Sequence, residues 1–340
     1  MALTASGTIK YSEIIAEFGT PNSGGLGEYR LSENVGSLNN LPLDTGVPQS
    51  GQIKFSDFYS KKLNHVVDLY SIGNSTTRQN AKNRWNNGNV HIVGSTKTGK
   101  TQPPDTVEDR VIINVNATIA SAKGTQTHCA LRTGNWDSNT TLEIEIGTSG
   151  KLYGSGGDGG TGGNANETAG TDGGTGSSAL GIQYPCTVNN LGVIQSGYGG
   201  GGGGGGNTRT TGGGKKSGAT TNGSSGGGGG GGAGLPAGSA GGVSTPLSAG
   251  GGSAGSAGGA GSLSGQATGG AGGSEAAAGG DSSLVNNSAT KADDGGTASG
   301  AASPGTGGNN GYAIITNQGS APSVTGNSAT GRIITSTNPT

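Results

Sequence analysis

Apolar and polar residues alternate along this chain in short runs. In Leu142-Glu143-Ile144-Glu145-Ile146 the apolar side chains fall on one face and both glutamates on the other, the two-residue period of a strand. Arg110–Asn116 and Val90-His91-Ile92-Val93 are apolar or alternating runs bounded by turn residues. The pattern returns in Asn189-Leu191-Val193-Ile194, in Tyr312–Thr316 and in Arg332–Thr335. Residues 63–149 therefore read as a β domain, a small sandwich or solenoid-like layer, and 312–340 as a closing β segment. Helical signals are confined to the N-terminus. There, Ser12 and Ser56 read as N-caps of short helices over Glu13–Phe18 and Asp57–Lys62, with an acid next to each cap at the positive end of the helix dipole.

Those two helices belong to an internal repeat. Ser6-Gly7-Thr8-Ile9-Lys10-Tyr11-Ser12-Glu13 matches Ser50-Gly51-Gln52-Ile53-Lys54-Phe55-Ser56-Asp57. Pro21, Gly24-Gly25, Pro42 and Pro48 mark a loop between the copies. Residues 1–62 carry too little apolar surface to stand alone, so they read as an attachment module. Its candidate contact residues are Ile9, Tyr11, Ile53, Phe55, Phe58 and Tyr59.

Composition changes the picture after residue 149. Of 78 glycines, 15 fall in 1–149 and 60 in 150–311. Between Ser196 and Gly311 the large apolar residues are few and scattered, too few for an ordinary core. Unbroken runs occupy Gly199–Gly206 and Gly226–Gly232, a three-residue phase links Gly252, Gly255, Gly258 and Gly261, and Asp-Gly-Gly-Thr starts at Asp158, Asp172 and Asp294. A flexible linker is one reading. The other is a bundle of polyglycine II helices, three residues per turn and without internal hydrogen bonds, so every N–H must find a neighbouring helix. Interior helices then need glycine on all faces and edge helices only on some, which suits unbroken and interrupted runs respectively. The expected fold is mainly β with a polyglycine II helix bundle over 150–311 and a small mixed N-terminal attachment module.

Charge and motifs exclude more than they assign. With 19 basic and 20 acidic side chains the chain is nearly neutral, which argues against nucleic acid as a partner. The longest apolar runs are too short for membrane insertion. Two cysteines and three histidines (His65, His91, His128) offer no zinc set and no nucleophile setting, so no metal, cofactor or catalytic residue is expected. Cys129 and Cys186 read as buried thiols more readily than as a bridge. Gly94 to Thr101 satisfies the Walker A pattern after an apolar run, but Pro103-Pro104 forbids the helix a P-loop needs. The Asp-Gly-Gly turns lack the spacing of a calcium roll, and their acids read as local turn caps. Glu143 and Glu145 read as a solvated strand face rather than the carboxylate pair of a glycan depolymerase.

A glycine-rich bundle after a β layer resembles the adhesin at the distal end of the long tail fibres of T-even-type bacteriophages. The repeated N-terminal module is similar to modules of many phage virion proteins. Leu142 to Gly163 resembles the β-to-polyglycine junction of Gly-rich tail proteins. The resemblance implies a non-enzymatic virion protein, made in the host cytoplasm, partnered with other tail or fibre proteins and open to oligomerisation in the virion. It implies loops on a polyglycine scaffold that bind a host surface receptor, an outer-membrane protein or a glycan. The loop residues that fit that role are Asn207, Thr208, Arg209, Lys215, Lys216, Leu235, Pro236, Leu284 and Val285. An architectural tail or baseplate protein is the alternative, and an ice-binding protein or a glycan depolymerase stands behind it.

Overall fold

The computed structural model describes residues 3–18, 25–30, 32–35, 38–42, 48, 50–61, 65–68, 78–86, 91–92, 110–138, 140–163, 169–205, 207–211, 220–224, 228–241, 303 and 305–340. The described residues are mainly β. Three sheets, parallel except where His65–Asp68 meets His91–Ile92 antiparallel, wind the chain around one core. The first runs Ser323–Gly326, Cys186–Asn190, Thr141–Ile146, Arg110–Val115, His65–Asp68 and His91–Ile92 in spatial order. The second runs Val193–Gln195, Lys151–Tyr153 and Thr118–Ala120, and the third Arg332–Ile334, Tyr312–Thr316, Ser178–Ile182, Cys129–Arg132 and Gln79–Asn80. The chain visits the sheets in turn: 110–115, 118–120, 129–132; then 141–146, 151–153, 178–182; then 186–190, 193–195, 312–316. Each circuit is one rung of a three-sided β-solenoid, the solenoid-like alternative that the strand pattern allowed.

Inward-facing positions stack in register from rung to rung. Ile113, Ile144, Val188 and Val324 form one column and Ile119, Leu152 and Ile194 another. Nearly all of these side chains are buried, each worth about 1.5–3 kcal/mol. Glu143 and Glu145 face outward, and Glu145 accepts a 2.8 Å hydrogen bond from Nδ2 of Asn189 on the adjoining rung. The three strands within 178–195 lie in the glycine-rich stretch, yet they pair with both flanking β segments. The described strands of 63–149 and of 312–340 are therefore parts of one solenoid. Cys129 and Cys186 lie in different sheets with free thiols. Burial pushes both pKa values up to about 12.

The N-terminal module packs on the outside of this solenoid. Leu3, Ile9, Ile14, Tyr29 and Phe58 share a buried cluster with Ile112, whose neighbours Val111 and Ile113 point inward. The first helix spans Tyr11–Phe18, while the second is a 3₁₀ turn over Phe55–Phe58. Ser12 and Ser56 are thus inside their elements rather than at the cap. The cap position is the lysine two residues earlier, whose backbone N–H is taken by the acid three residues on: Lys10 N to Glu13 Oε2 and Lys54 N to Asp57 Oδ2, both 2.7 Å. Between the copies, where a loop was expected, Ser32–Val35 pairs antiparallel with Leu38–Pro42.

Candidate functional site

Six glycine-rich segments gather at one corner of the solenoid, between the second and third sheets, four of them joined directly to its strands. They span 154–163, 169–177, 197–205, 228–234, 236–241 and 303–311. Backbone N–H groups bond neighbouring segments with a three-residue period, to two neighbours from 154–163, 169–177 and 197–205 and to one from 228–234, 236–241 and 303–311. In segment 154–163, Gly157, Gly160 and Gly163 donate to Tyr198, Gly201 and Gly204 at 2.7–2.8 Å, while Gly156 and Gly159 donate to Pro236 and Ser239 at 2.8–2.9 Å. In segment 197–205, Gly197, Gly200 and Gly203 donate to Ser177, Gly174 and Thr171, while Tyr198 and Gly201 donate to Ala233 and Gly230. Gly305, Gly308 and Gly311 donate to that same segment. The unbroken run from Gly199 is therefore enclosed by four others. A Cβ at Gly203 would sit 2.0 Å from the Thr161 carbonyl oxygen, and one at Gly200 2.1 Å from that of Asp158.

Serine joins this lattice to the sheets. Ser155, Ser177, Ser178 and Ser196 are buried at its base, with the Ser155 and Ser177 hydroxyls 2.8 Å apart. Two Asp-Gly pairs then fasten the outer segments. Gly159 N–H donates to the Ser239 carbonyl, and Ser239 N–H returns a 2.6 Å bond to Asp158 Oδ1. Gly173 N–H donates to the Thr306 carbonyl, and Thr306 N–H returns a 2.7 Å bond to Asp172 Oδ1. These acids clamp segments distant in sequence rather than capping their own turns. Asp158 also meets Lys123 Nζ at 2.6 Å. Burial alone would raise the Asp158 pKa, but the bonds from Lys123 and the Ser239 backbone hold it below the ordinary carboxylate value. The Thr306 backbone N–H and hydroxyl do the same for Asp172.

Chain direction fixes which ends are which. Residues 154, 177, 197, 235 and 311 lie together next to the sheets. The described lattice segments end at Gly163, Gly205 and Gly241 and resume at Ala169, Gly228 and Ser303, all at the remote end. Asn207, Thr208 and Arg209 stand at that end in strand Asn207–Thr211, paired antiparallel with Thr220–Ser224. Leu235 and Pro236 are at the other end, where Leu235 N bonds the Gly154 carbonyl. The structure thus separates these two groups by the lattice length, about 25 Å for eight residues at roughly 3.1 Å each. Lys215, Lys216, Leu284 and Val285 lie outside the described residues, as do Gly94 to Thr101, Asp294 and the 252–261 glycines.

The attachment candidates come together in one cluster. Ile9 and Phe58 are buried in it, Tyr11, Ile53 and Tyr59 are half-buried against it, and Phe55 is 43% exposed. Tyr11 and Phe55 meet edge to face with centroids 6.4 Å apart, and Tyr59 Oη donates to the Gly7 carbonyl. Among the described residues, no group of three or more His, Cys, Asp or Glu is placed to hold a metal, and no helix is long and apolar enough to cross a membrane. A hollow of about 210 Å³ lies between stacked turns, lined by Ile182, Pro185, Cys186 and residues from Thr316 to Ser323. The Asp-Gly clamp and the serine base escaped the sequence reading, although the recurring Asp-Gly-Gly-Thr was the signal for the clamp.

The family described as phage tail fibre adhesin Gp38 matches residues 76–334. Among solved structures, the chain is similar to the crystal structure of the gp37-gp38 adhesin tip complex of the bacteriophage S16 long tail fiber. Identity is 20%, coverage is 86% of this chain and 89% of that chain, and the TM-score is 0.35. No curated protein sequence matches the chain.

Proposed function

The chain belongs to the phage tail fibre adhesin Gp38 family, and from that premise we propose that it recognises a host-cell surface receptor through chain segments carried at the remote end of a polyglycine II bundle. The observation that carries this reading is a shared end: the described lattice segments break off and resume at the end away from the sheets, where the Asn207–Thr211 and Thr220–Ser224 pair also stands. Binding residues sit on loops held by rigid scaffolds, and a hydrogen-bonded glycine lattice is such a scaffold. Its three-residue bonding cycle is the one expected of polyglycine II helices.

The receptor contact lies in Asn207, Thr208, Arg209, Lys215, Lys216, Leu284 and Val285. Leu235 and Pro236, at the solenoid end, form a separate candidate patch. Residues 1–62 dock the chain on another tail-fibre protein in the virion tail, and the chain works by binding alone, without catalysis. The domain plan is then 1–62 for docking, a solenoid from 63 onward with the bundle as insertions, and the C-terminal rungs closing it.

Exchange of residues 207–225 for those of a related phage with another host tests the receptor assignment. Host range that follows the exchanged segment supports it. Host range that stays with the recipient, in a chain that still assembles, leaves an architectural protein.

A further inference from the structure

Residues 335–340 run back across the solenoid after the strand Arg332–Ile334. Thr337 N–H donates to the Thr316 carbonyl at 3.3 Å, on the third rung of the third sheet. The Pro339 carbonyl accepts from Gln183 Nε2 at 3.4 Å, beside the second rung. Thr340 then bonds both sides of His128 on the first rung. Its N–H donates to the Thr127 carbonyl at 2.9 Å, and its carbonyl accepts from Cys129 N–H at 3.3 Å. Its hydroxyl donates to that of Thr127 at 2.9 Å. The chain thus crosses from the third rung to the first between Thr337 and Thr340. Two rung steps of about 4.8 Å take nearly the whole reach of that stretch, about 10 Å when extended.

The sheet beneath carries a matching notch. Gly181 stands inside the fully buried strand Ser178–Ile182, where glycine weakens pairing and marks a close approach of another segment. A Cβ there would lie 2.5 Å from Pro339 Cβ and 2.9 Å from Cys129 Sγ. Glycine at 181 therefore makes room for Pro339, which is buried against it. Cys129 is fully buried as well. So is Ile315, the register partner of Gly181, although its neighbour Ile314 belongs to the inner core. The outer face of this sheet is covered, and Pro339 lies on it.

We propose that residues 335–340 are a strap that closes over the third sheet once its rungs are laid down, clamps them together, and opens as a unit before the solenoid does. Its partners lie between residues 127 and 316, so it closes only on a finished sheet. Scattered backbone bonds hold it, against continuous ladders in the strands beneath, which makes it the less stable unit. The same sheet receives lattice segments 169–177 and 303–311 at Ser178 and Tyr312. The strap therefore clamps the strands from which two lattice segments grow. Cys129 reports its position. Burial pushes that thiol's pKa up to about 12, while Arg132 and Arg78 pull it down. Opening the strap removes the burial and leaves the two guanidinium groups, so the thiol becomes reactive.

The test treats the full chain with iodoacetamide at pH 8 under native conditions and follows Cys129 and Cys186 separately by mass spectrometry. Cys186 lies in the first sheet and monitors unfolding of the whole. Pro339→Gly and Thr340→Pro change the strap alone. Each is expected to raise the Cys129 rate about tenfold, with Cys186 unchanged. Gly181→Ala, which drives a methyl against Pro339, should do the same by itself and add less in a chain that already carries Pro339→Gly. Should Gly181→Ala fail to fold, the two strap variants decide. Hydrogen exchange on the unaltered chain gives a second reading: the Thr340 amide should exchange at least about tenfold faster than that of Leu180 beneath it. Cys129 and Cys186 labelling in step in the strap variants, or Thr340 and Leu180 exchanging together, overturns the strap as a separate unit. Unchanged Cys129 labelling in both strap variants overturns it as the cover of this sheet.

Discussion

Gly203→Ala is the sharpest perturbation of the lattice. The new Cβ would lie 2.0 Å from the Thr161 oxygen, 2.4 Å from its carbonyl carbon and 2.9 Å from Gly162 N. Ordinary contact begins near 3.4 Å, so segments 154–163 and 197–205 must part by over an ångström. The bonds from Gly160 to Gly201 and from Gly163 to Gly204, both 2.7 Å, span that gap and break. Two buried donors left unpaired at about 1–3 kcal/mol each give roughly 2–6 kcal/mol, and alanine returns only about 0.4–1 kcal/mol through the unfolded chain. The net loss is several degrees to about ten in melting temperature. Differential scanning calorimetry measures it, with hydrogen exchange at the Gly160 and Gly163 amides as the local readout. Gly27→Ala, where no atom lies within 4 Å, is the control and should shift little. A Gly203→Ala protein that melts with the unaltered chain and protects both amides refutes the steric argument.

Other outcomes follow from the same geometry. Ile144→Ala empties a fully buried place in the solenoid column and should lower stability by about 2–5 kcal/mol in denaturant titration; a loss below 1 kcal/mol contradicts the stacking. Asp158 and Asp172 have lowered folded-state pKa values, so their stabilisation is present above the unfolded carboxylate range near pH 4 and is lost as pH falls through the folded values. Melting temperature should therefore be flat from about pH 5 to 7 and decline below about 4, less steeply in Asp158→Asn, because an exposed pair contributes about 1 kcal/mol or less. A melting temperature that rises on acidification contradicts that sign. Cys129 and Cys186, with pKa values near 12, should resist iodoacetamide at pH 8 until the protein is unfolded, as followed by mass spectrometry; rapid native alkylation of both contradicts their burial.

The strands were legible because each carries its own alternation: Thr141–Ile146 and Tyr312–Thr316 appear where the pattern placed them. The winding was not. Ser178–Ile182 pairs with Tyr312–Thr316 across more than a hundred residues, and no local period records such a contact. The capping acids were legible as helix-start signals, but which residue they serve depends on reach: Glu13 and Asp57 bond back three positions, so lysine, not serine, is the cap. Leu235 looked like a loop tip because it is an isolated apolar residue among glycines. Its segment runs back toward the sheets, which composition does not encode. Asp158 and Asp172 were read as turn formers because only local partners are visible in a sequence, whereas their partners are Ser239 and Thr306. An isolated fragment from residue 150 onward would lose rung partners such as Cys129–Arg132 and Arg110–Val115, so binding is best measured on the full chain.

The central claim is receptor recognition from the remote end of the glycine lattice. Its most direct test is saturable binding of the purified full chain to whole cells of the phage's host, read together with competition against phage adsorption. The account predicts saturable binding that blocks adsorption, with both effects abolished by replacing residues 207–225 with an unrelated loop. Absence of binding to cells that the phage does infect would contradict it.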